Sequence, residues 1–214
     1  MKKKILIFAA GPAGREIFQL ISSMNKSANE WEVIGYVDDD PKKVGKTIDD
    51  VKVYSNKDKP TKSEIYATCG LMNHIIRKKI FNEEILKNNY KITNLIHPLV
   101  EQPKCFRIGE GNVIFGNVHI SFEVTIKNFS IISNFCDLAH NLITGDYVTI
   151  MPSVIIGGNC EIGENTLIGA GARIHQETKI GKSCKIGMGT LILKDVKNNT
   201  AVVDFPRKVQ SENN

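Results

Sequence analysis

The chain of 214 residues contains five cysteines but no CxxC pair, which excludes a zinc ribbon and a thioredoxin-type redox motif. It has no uninterrupted apolar run long enough to cross a bilayer, so no transmembrane segment is expected. It has no dense basic block interleaved with aromatics. Its 28 basic residues are scattered among 23 acidic ones, and the resulting charge of +5 is too diffuse to predict a nucleic-acid partner. A mildly positive surface does favour anionic small molecules. The apolar start, Ile5 to Ala10, is short and meets Gly11-Pro12 and then Arg15-Glu16. It reads as a buried first strand and not as a leader. An odd cysteine count without a leader implies reduced thiols and a cytoplasmic protein.

What the chain does have is a repeat. Stepping by six from Ile108 meets Ile or Leu at fourteen of fifteen positions up to Ile192, the exception being Thr144. Four places after each of these residues comes a mostly small or β-branched one, such as Val118, Val124, Cys136, Val148, Cys160, Ala172 and Cys184. The place just after the aliphatic residue is often glycine, as at Gly109, Gly145, Gly157, Gly163, Gly169, Gly181 and Gly187. No helix or simple amphipathic strand keeps a period of six for so long. Short strands separated by sharp corners do, with three sides closing a triangular coil of 18 residues and about five coils stacked at the spacing of neighbouring strands. The glycines suit corners that bend or adopt positive φ. The three cysteines spaced by 24 become small interior side chains.

The first hundred residues lack this repeat. Lys4 to Phe8 predicts a buried strand, Ala9 to Gly14 a glycine-containing turn, and Arg15 to Met24 a helix with one apolar face. Trp31 to Val37 predicts a second strand ending at Asp38-Asp39-Asp40, Ile65 to Cys69 a third, and Ile75 to Leu86 a basic helix. This alternation predicts a small parallel αβ sheet. The turn keeps the pattern Ala9-x-Gly11-x-x-Gly14, a dinucleotide-type signature with its first glycine replaced. The helix that it opens could hold a phosphate on free N–H groups, and Asp38 and Asp39 stand where carboxylates can bond a ribose or base. Tight packing with ordinary turn acids explains the same residues equally well.

Stretches such as Ile162-Gly163-Glu164-Asn165-Thr166-Leu167-Ile168-Gly169-Ala170-Gly171-Ala172 resemble the hexapeptide-repeat acyltransferases. The order of an αβ unit, then Leu95-Ile96-His97-Pro98, then the repeat is similar to the sugar O-acyltransferase family. That family includes sialic acid O-acetyltransferases and the nucleotide-amino-sugar N-acetyltransferases of bacillosamine synthesis. The resemblance implies an α/β Rossmann-like unit over residues 1–97 that binds a nucleotide sugar. It implies an all-β left-handed parallel β-helix with a tail over residues 98–214. It further implies an acetyl-CoA-dependent acetyltransferase that works as a homotrimer and needs no metal. Carried over residue by residue, it puts Gly11, Ala13, Asp38, Asp39 and Gly70 around the nucleotide, although relatives usually have glycine at position 12 and histidine at position 13. It puts Thr149, Ala170, Met188, Arg207 and Lys208 along the coenzyme.

Of the five histidines, His74, His97, His119 and His175 read as structural or surface residues. His140, in Leu138-Ala139-His140-Asn141-Leu142-Ile143-Thr144-Gly145-Asp146, matches the general base of the family's motif. Asn141 stands where relatives carry an acidic residue. A neutral amide can orient an imidazole but stabilises its cation less. The expectation is therefore an active base, either slowed by Asn141 or aligned by another carboxylate such as Asp137. One coil beyond, Gly158 offers a backbone N–H to a thioester oxygen. The function expected is N-acetylation of a nucleotide-linked amino sugar in surface glycan biosynthesis. The alternatives are a sugar O-acetyltransferase of the sialic acid type and a catalytically lapsed sugar-nucleotide scaffold.

Overall fold

The structure, a computed structural model, describes residues 2–203. Strand β1 (Lys3–Phe8) is buried from Ile5 onward, as its unbroken apolar run requires. Helix α1 (Pro12–Ala28) has proline in its first turn, where an N–H is dispensable, and turns Ile17, Leu20 and Ile21 into the core. Strand β2 (Trp31–Val37) lies parallel to β1. Strands β3 (Thr47–Ile48) and β4 (Val51–Tyr54) form a hairpin that extends the sheet, and β5 (Tyr66–Cys69) closes its other edge. The order is β3-β4-β2-β1-β5, parallel except for β3 with β4. The hairpin was not expected from the sequence pattern. Its turn residues, Asp49 and Asp50, have φ of 50° and 61°, the backbone that a two-residue hairpin loop demands and aspartate tolerates. Helix α2 (His74–Ile80) continues into a wider π turn at Phe81–Leu86. Ala9 keeps the left-handed backbone of the glycine that it replaces, with φ 77°.

From Leu95 the chain winds into two-residue rungs stacked in three parallel sheets, a parallel β-helix of triangular section. Face I runs from Arg107–Ile108 to Lys179–Ile180, face II from Leu95–Ile96 to Ala201–Val202, and face III from His119–Ile120 to Leu191–Ile192. Successive rungs of a face lie 18 residues apart, as Ile131–Ile132 lies between Val113–Ile114 and Thr149–Ile150, except that Ala201–Val202 lies 16 beyond Lys185–Ile186. The second residue of a rung and the residue four later both point inward. Ile114, Ile120, Ile126, Leu138, Val118, Val124, Val154 and Ala172 belong to one buried core. Cys136, Cys160 and Cys184 share it, and burial pushes the Cys136 thiol up to about 11.

The glycines after the rungs do not carry the bends, contrary to expectation. Positive φ falls two places later, on Asn117 (56°), Glu123 (57°), Phe129 (57°), Tyr147 (57°) and Asn159 (58°). The glycines answer a need for space. A Cβ on Gly163 would lie 2.5 Å from Lys182 N, and one on Gly157 would lie 2.6 Å from Gln176 N, both in the backbone of the next coil.

The αβ unit sits on face II. The outward side chains Leu95, Val113 and Ile131 share a core with Ile5, Ile7, Ile17 and Trp31. Phe81 packs against Phe129 and Tyr147, with ring centroids 4.6 and 6.2 Å away. Among the described residues no helix is long and apolar enough to cross a membrane.

Gly163→Ala should lower stability by about 1–3 kcal/mol through forced overpacking, read as a fall in thermal midpoint. Gly11→Ala, whose Cβ would meet nothing within 4 Å, should stay within about 0.5 kcal/mol of the parent.

Candidate active site

His140 occupies the second place of the corner between rungs Asp137–Leu138 of face III and Ile143–Thr144 of face I. The 18-residue stacking sets Phe122 on one side of it and Gly158 on the other. The phenyl ring of Phe122 stacks on the imidazole, with centroids 5.1 Å apart and planes 7° from parallel. A Cβ on Gly158 would fall 2.5 Å from His140 Nε2 and 3.0 Å from Nδ1, so only glycine leaves room for the ring. The backbone locks this register: Asn141 N donates to Phe122 O at 3.1 Å, and Asn159 N donates to His140 O at 2.9 Å. The ring is half-buried. Imidazole hydrogen bonds are made by His97, His119 and His175. None is made by His140 among the described residues.

Neither expected orienting group reaches that ring. Asn141 sits at the left-handed corner position, φ 58°, and its Oδ1 is buried without a hydrogen-bond partner. Asp137 is bonded elsewhere: its Oδ1 lies 2.8 Å from His119 Nδ1. The two are register partners on face III, which sets their side chains side by side on the outer surface. The expectation that Asp137 aligns His140 is corrected accordingly.

The residues expected along the coenzyme separate into two groups. Ala170 and Met188 stack on the corner between faces II and III, where Met188 is 79% exposed. Neighbouring Gly171 and Gly189 leave open space where a Cβ would stand. Thr149 is instead fully buried beneath the αβ unit. Its Oγ1 donates to Met72 O at 3.0 Å and accepts from Arg77 at 2.9 Å, so its hydroxyl is already committed. Arg207 and Lys208 lie outside the described residues.

The residues expected around a nucleotide converge on the turn between β1 and α1. Gly11 caps α1 and borders an open cleft of about 710 Å³ with Pro12, Arg15 and Lys43. Asp38 and Asp39 border a smaller one of about 190 Å³ with Phe8, Asn56 and Leu71. Both carboxylates are engaged within the chain. Asp38 accepts from Ala10 N at 2.9 Å, Asp40 N at 2.9 Å and Lys43 Nζ at 3.0 Å. Burial works to raise its carboxyl, but the Asp40 and Ala10 N–H groups and the Lys43 ammonium hold it below the ordinary value. Asp39 accepts from Asn56 N and Nδ2 at 2.9 and 2.6 Å. Gly70 serves the approach of two backbones, because a Cβ there would lie 2.5 Å from Gly14 N and 3.1 Å from the carbonyl carbon of Ala13. The 790 Å³ cleft along face I contains none of these residues, and two of its lysines are already paired, Lys179 with Glu161 at 2.8 Å and Lys182 with Glu164 at 3.4 Å.

One residue joining the two halves was not singled out from the sequence. Arg77 of α2 is 1% exposed, yet no carboxylate faces it among the described residues. Its guanidinium donates to Leu71 O (2.7 Å) and Met72 O (3.3 Å) after β5. It also donates to Phe129 O (3.1 Å), Tyr147 O (3.2 Å), Val148 O (3.2 Å) and Thr149 Oγ1 (2.9 Å) of the β-helix. Burial pushes it down to about 10, still charged at neutral pH. A basic run on a predicted helix gave no sign of this, because in sequence Arg77-Lys78-Lys79 looks like an ordinary solvated face.

Comparison with known proteins followed the two halves. Residues 141–176 match the family model described as bacterial transferase hexapeptide (six repeats), and residues 1–93 match the model described as C2185-like, N-terminal. Among curated proteins no sequence matches. Among solved structures, the acetyltransferase domain of PglB from Neisseria gonorrhoeae FA1090 in complex with acetyl coenzyme A has a TM-score of 0.81 and 25% identity. That match covers 94% of this chain and 97% of that one. PerB from Caulobacter crescentus, in complex with CoA and GDP-perosamine, has a TM-score of 0.82 and 20% identity, covering 97% of each chain. WeeI from Acinetobacter baumannii AYE has a TM-score of 0.60 and 20% identity, covering 94% and 96%.

Arg77→Met would strand several buried carbonyls at once. The expected loss is about 3 kcal/mol or more, measured by thermal or denaturant unfolding, with Arg77→Lys recovering only part of it.

Proposed function

We propose that this chain is a hexapeptide-repeat acyltransferase that moves an acetyl group from acetyl-CoA to the amino group of a nucleotide-linked sugar during surface glycan biosynthesis. The observation that carries the reading is the stack of Phe122, His140 and Gly158 at one corner of the β-helix. It presents an imidazole, free of other hydrogen bonds among the described residues, next to a glycine backbone. The whole-chain likeness to the PglB acetyltransferase domain and to PerB supports the choice of donor and of acceptor class.

Acetyl-CoA supplies the reactive thioester carbonyl. A ring nitrogen of His140 takes the proton that the acceptor amine must lose as its C–N bond forms and the C–S bond breaks. The Gly158 N–H, which donates to no protein acceptor among the described residues, is available to the oxygen that gains charge. The N–H groups around Gly11 and the Lys43 ammonium favour an anionic diphosphate at the head of α1. Ala170 and Met188 stand on a different edge of the prism from His140. A groove between neighbouring copies, each lending one edge, would bring coenzyme strip and base together, and this supports a homotrimer.

His140→Ala should cut turnover by about 10²–10⁴-fold. The check is thiol release from acetyl-CoA with a panel of nucleotide-linked amino and hydroxy sugars, each product weighed to locate the acyl group. Binding of CoA, measured by calorimetry, should survive. Near-parent turnover in that variant would remove His140 from the mechanism. Acylation confined to hydroxyl acceptors would replace N- by O-acetylation, and no release with any acceptor would favour the scaffold. Gly158→Ala should lower kcat at least about tenfold with the fold intact, since its methyl group occupies the place of the imidazole.

A further inference from the structure

A histidine that serves as a base needs its ring held in one orientation and needs some group to favour the cation that it becomes. A carboxylate does both. The inference below rests on the base reading of His140, and it starts from the lack, among the described residues, of such a carboxylate at this ring. Asn141 is neutral, and its Oδ1 has no partner. The Asp137 carboxylate is spent on His119. The titratable groups on the adjoining corners are Glu123, next to Phe122, and Cys160, whose Sγ is bonded to His175 O at 3.1 Å; Glu177 stands one coil further on, its N–H donating to Gly158 O at 2.8 Å, and among the described residues none of the three bonds the ring.

What faces the imidazole is the phenyl group of Phe122. It lies almost parallel, 7° from coplanar, at a centroid separation of 5.1 Å. It is 53% exposed, so core packing does not account for a large apolar ring at this place. The opposite side of the imidazole rests on Gly158. The ring is thus gripped from two sides by groups fixed one coil away in each direction.

We propose that Phe122 is the positioning residue for His140, clamping the imidazole against Gly158 and presenting its π face to the imidazolium that proton transfer creates. A cation within about 6 Å of an aromatic face is attracted by the ring quadrupole, which at a partly exposed site strengthens proton binding roughly two- to fivefold. The stack therefore supplies part of what a neighbouring carboxylate would, without fixing a negative charge beside an anionic coenzyme and an anionic sugar nucleotide.

The test is an NMR titration of isotope-labelled His140 in the full chain, paired with steady-state kinetics. Phe122→Leu removes the π face but keeps an apolar side chain. It should lower the His140 pKa by about half a pH unit, with the acid limb of the kcat profile moving down in step. It should reduce kcat roughly tenfold while leaving KM for both substrates near the parent value. Phe122→Tyr should restore all three. An unchanged His140 titration in Phe122→Leu would overturn the proposal, as would an equal loss in Phe122→Tyr. The titration reads the ring directly, so it decides the role of Phe122 even if His140→Ala retains turnover and the base reading fails.

Discussion

The register of the coils governs the rest of the molecule. Backbone N–H groups of the rungs find carbonyls in the coil above or below, and from Leu95 to Ile192 this sets rung residues 18 places from their vertical neighbours, shortening to 16 only in the last coil. Side chains far apart in sequence are thereby aligned as if on one shelf. Phe122, His140 and Gly158 come together this way, as do His119 and Asp137. None of these contacts needs a loop of its own. The same register decides which glycines are essential, since the first corner position lies against the backbone of the following coil. The placement of side chains at this corner is therefore set by the ladder beneath it.

The joint between the halves follows a second constraint, the satisfaction of buried polar groups. Carbonyls of Leu71 and Met72 and those of Phe129, Tyr147 and Val148 face one another across an apolar contact. Arginine, with five donors in a fixed plane, can serve both sides together. Phe81 seals the gap against Phe129 and Tyr147. The loop leaving β5, which ends the strand beside the candidate nucleotide cleft, is in this way tied to the strand that carries Thr149.

Much of this architecture is legible in the sequence because the coil leaves a one-dimensional trace. The interior slots repeat every six residues and tolerate only aliphatic or small side chains, so the β-helix announces itself from Ile108 to Ile192. The vertical neighbour of His140 is equally readable by counting. Harder to read was why the glycines occur where they do. Positive φ and lack of space both favour glycine, and only the structure separates them: the left-handed place takes glycine at Gly111, Gly171 and Gly189 but elsewhere mostly Asn, Ser, Glu, Phe or Tyr. The hairpin at Thr47–Tyr54 was missed because its strands are too short to alternate visibly, although Asp49-Asp50 between them was a turn signal. Thr149 was expected along the coenzyme only because the family resemblance carried it there. Outward on face II means under the αβ unit, and the apolar residues at Leu95, Val113 and Ile131 in the same slot were the available clue. The partner of Asp137 could have been found by the same counting that found Gly158.

The vertical order has an evolutionary corollary. A single inserted residue within the spiral would slide every later shelf out of line, whereas a whole extra coil would leave each existing column intact. Lineages carrying this architecture can thus grow or shrink in quanta of one full turn beyond Gly158 without disturbing the column at His140, and drift in chain length should be confined to the ends of the spiral and to loops thrown outward from its corners.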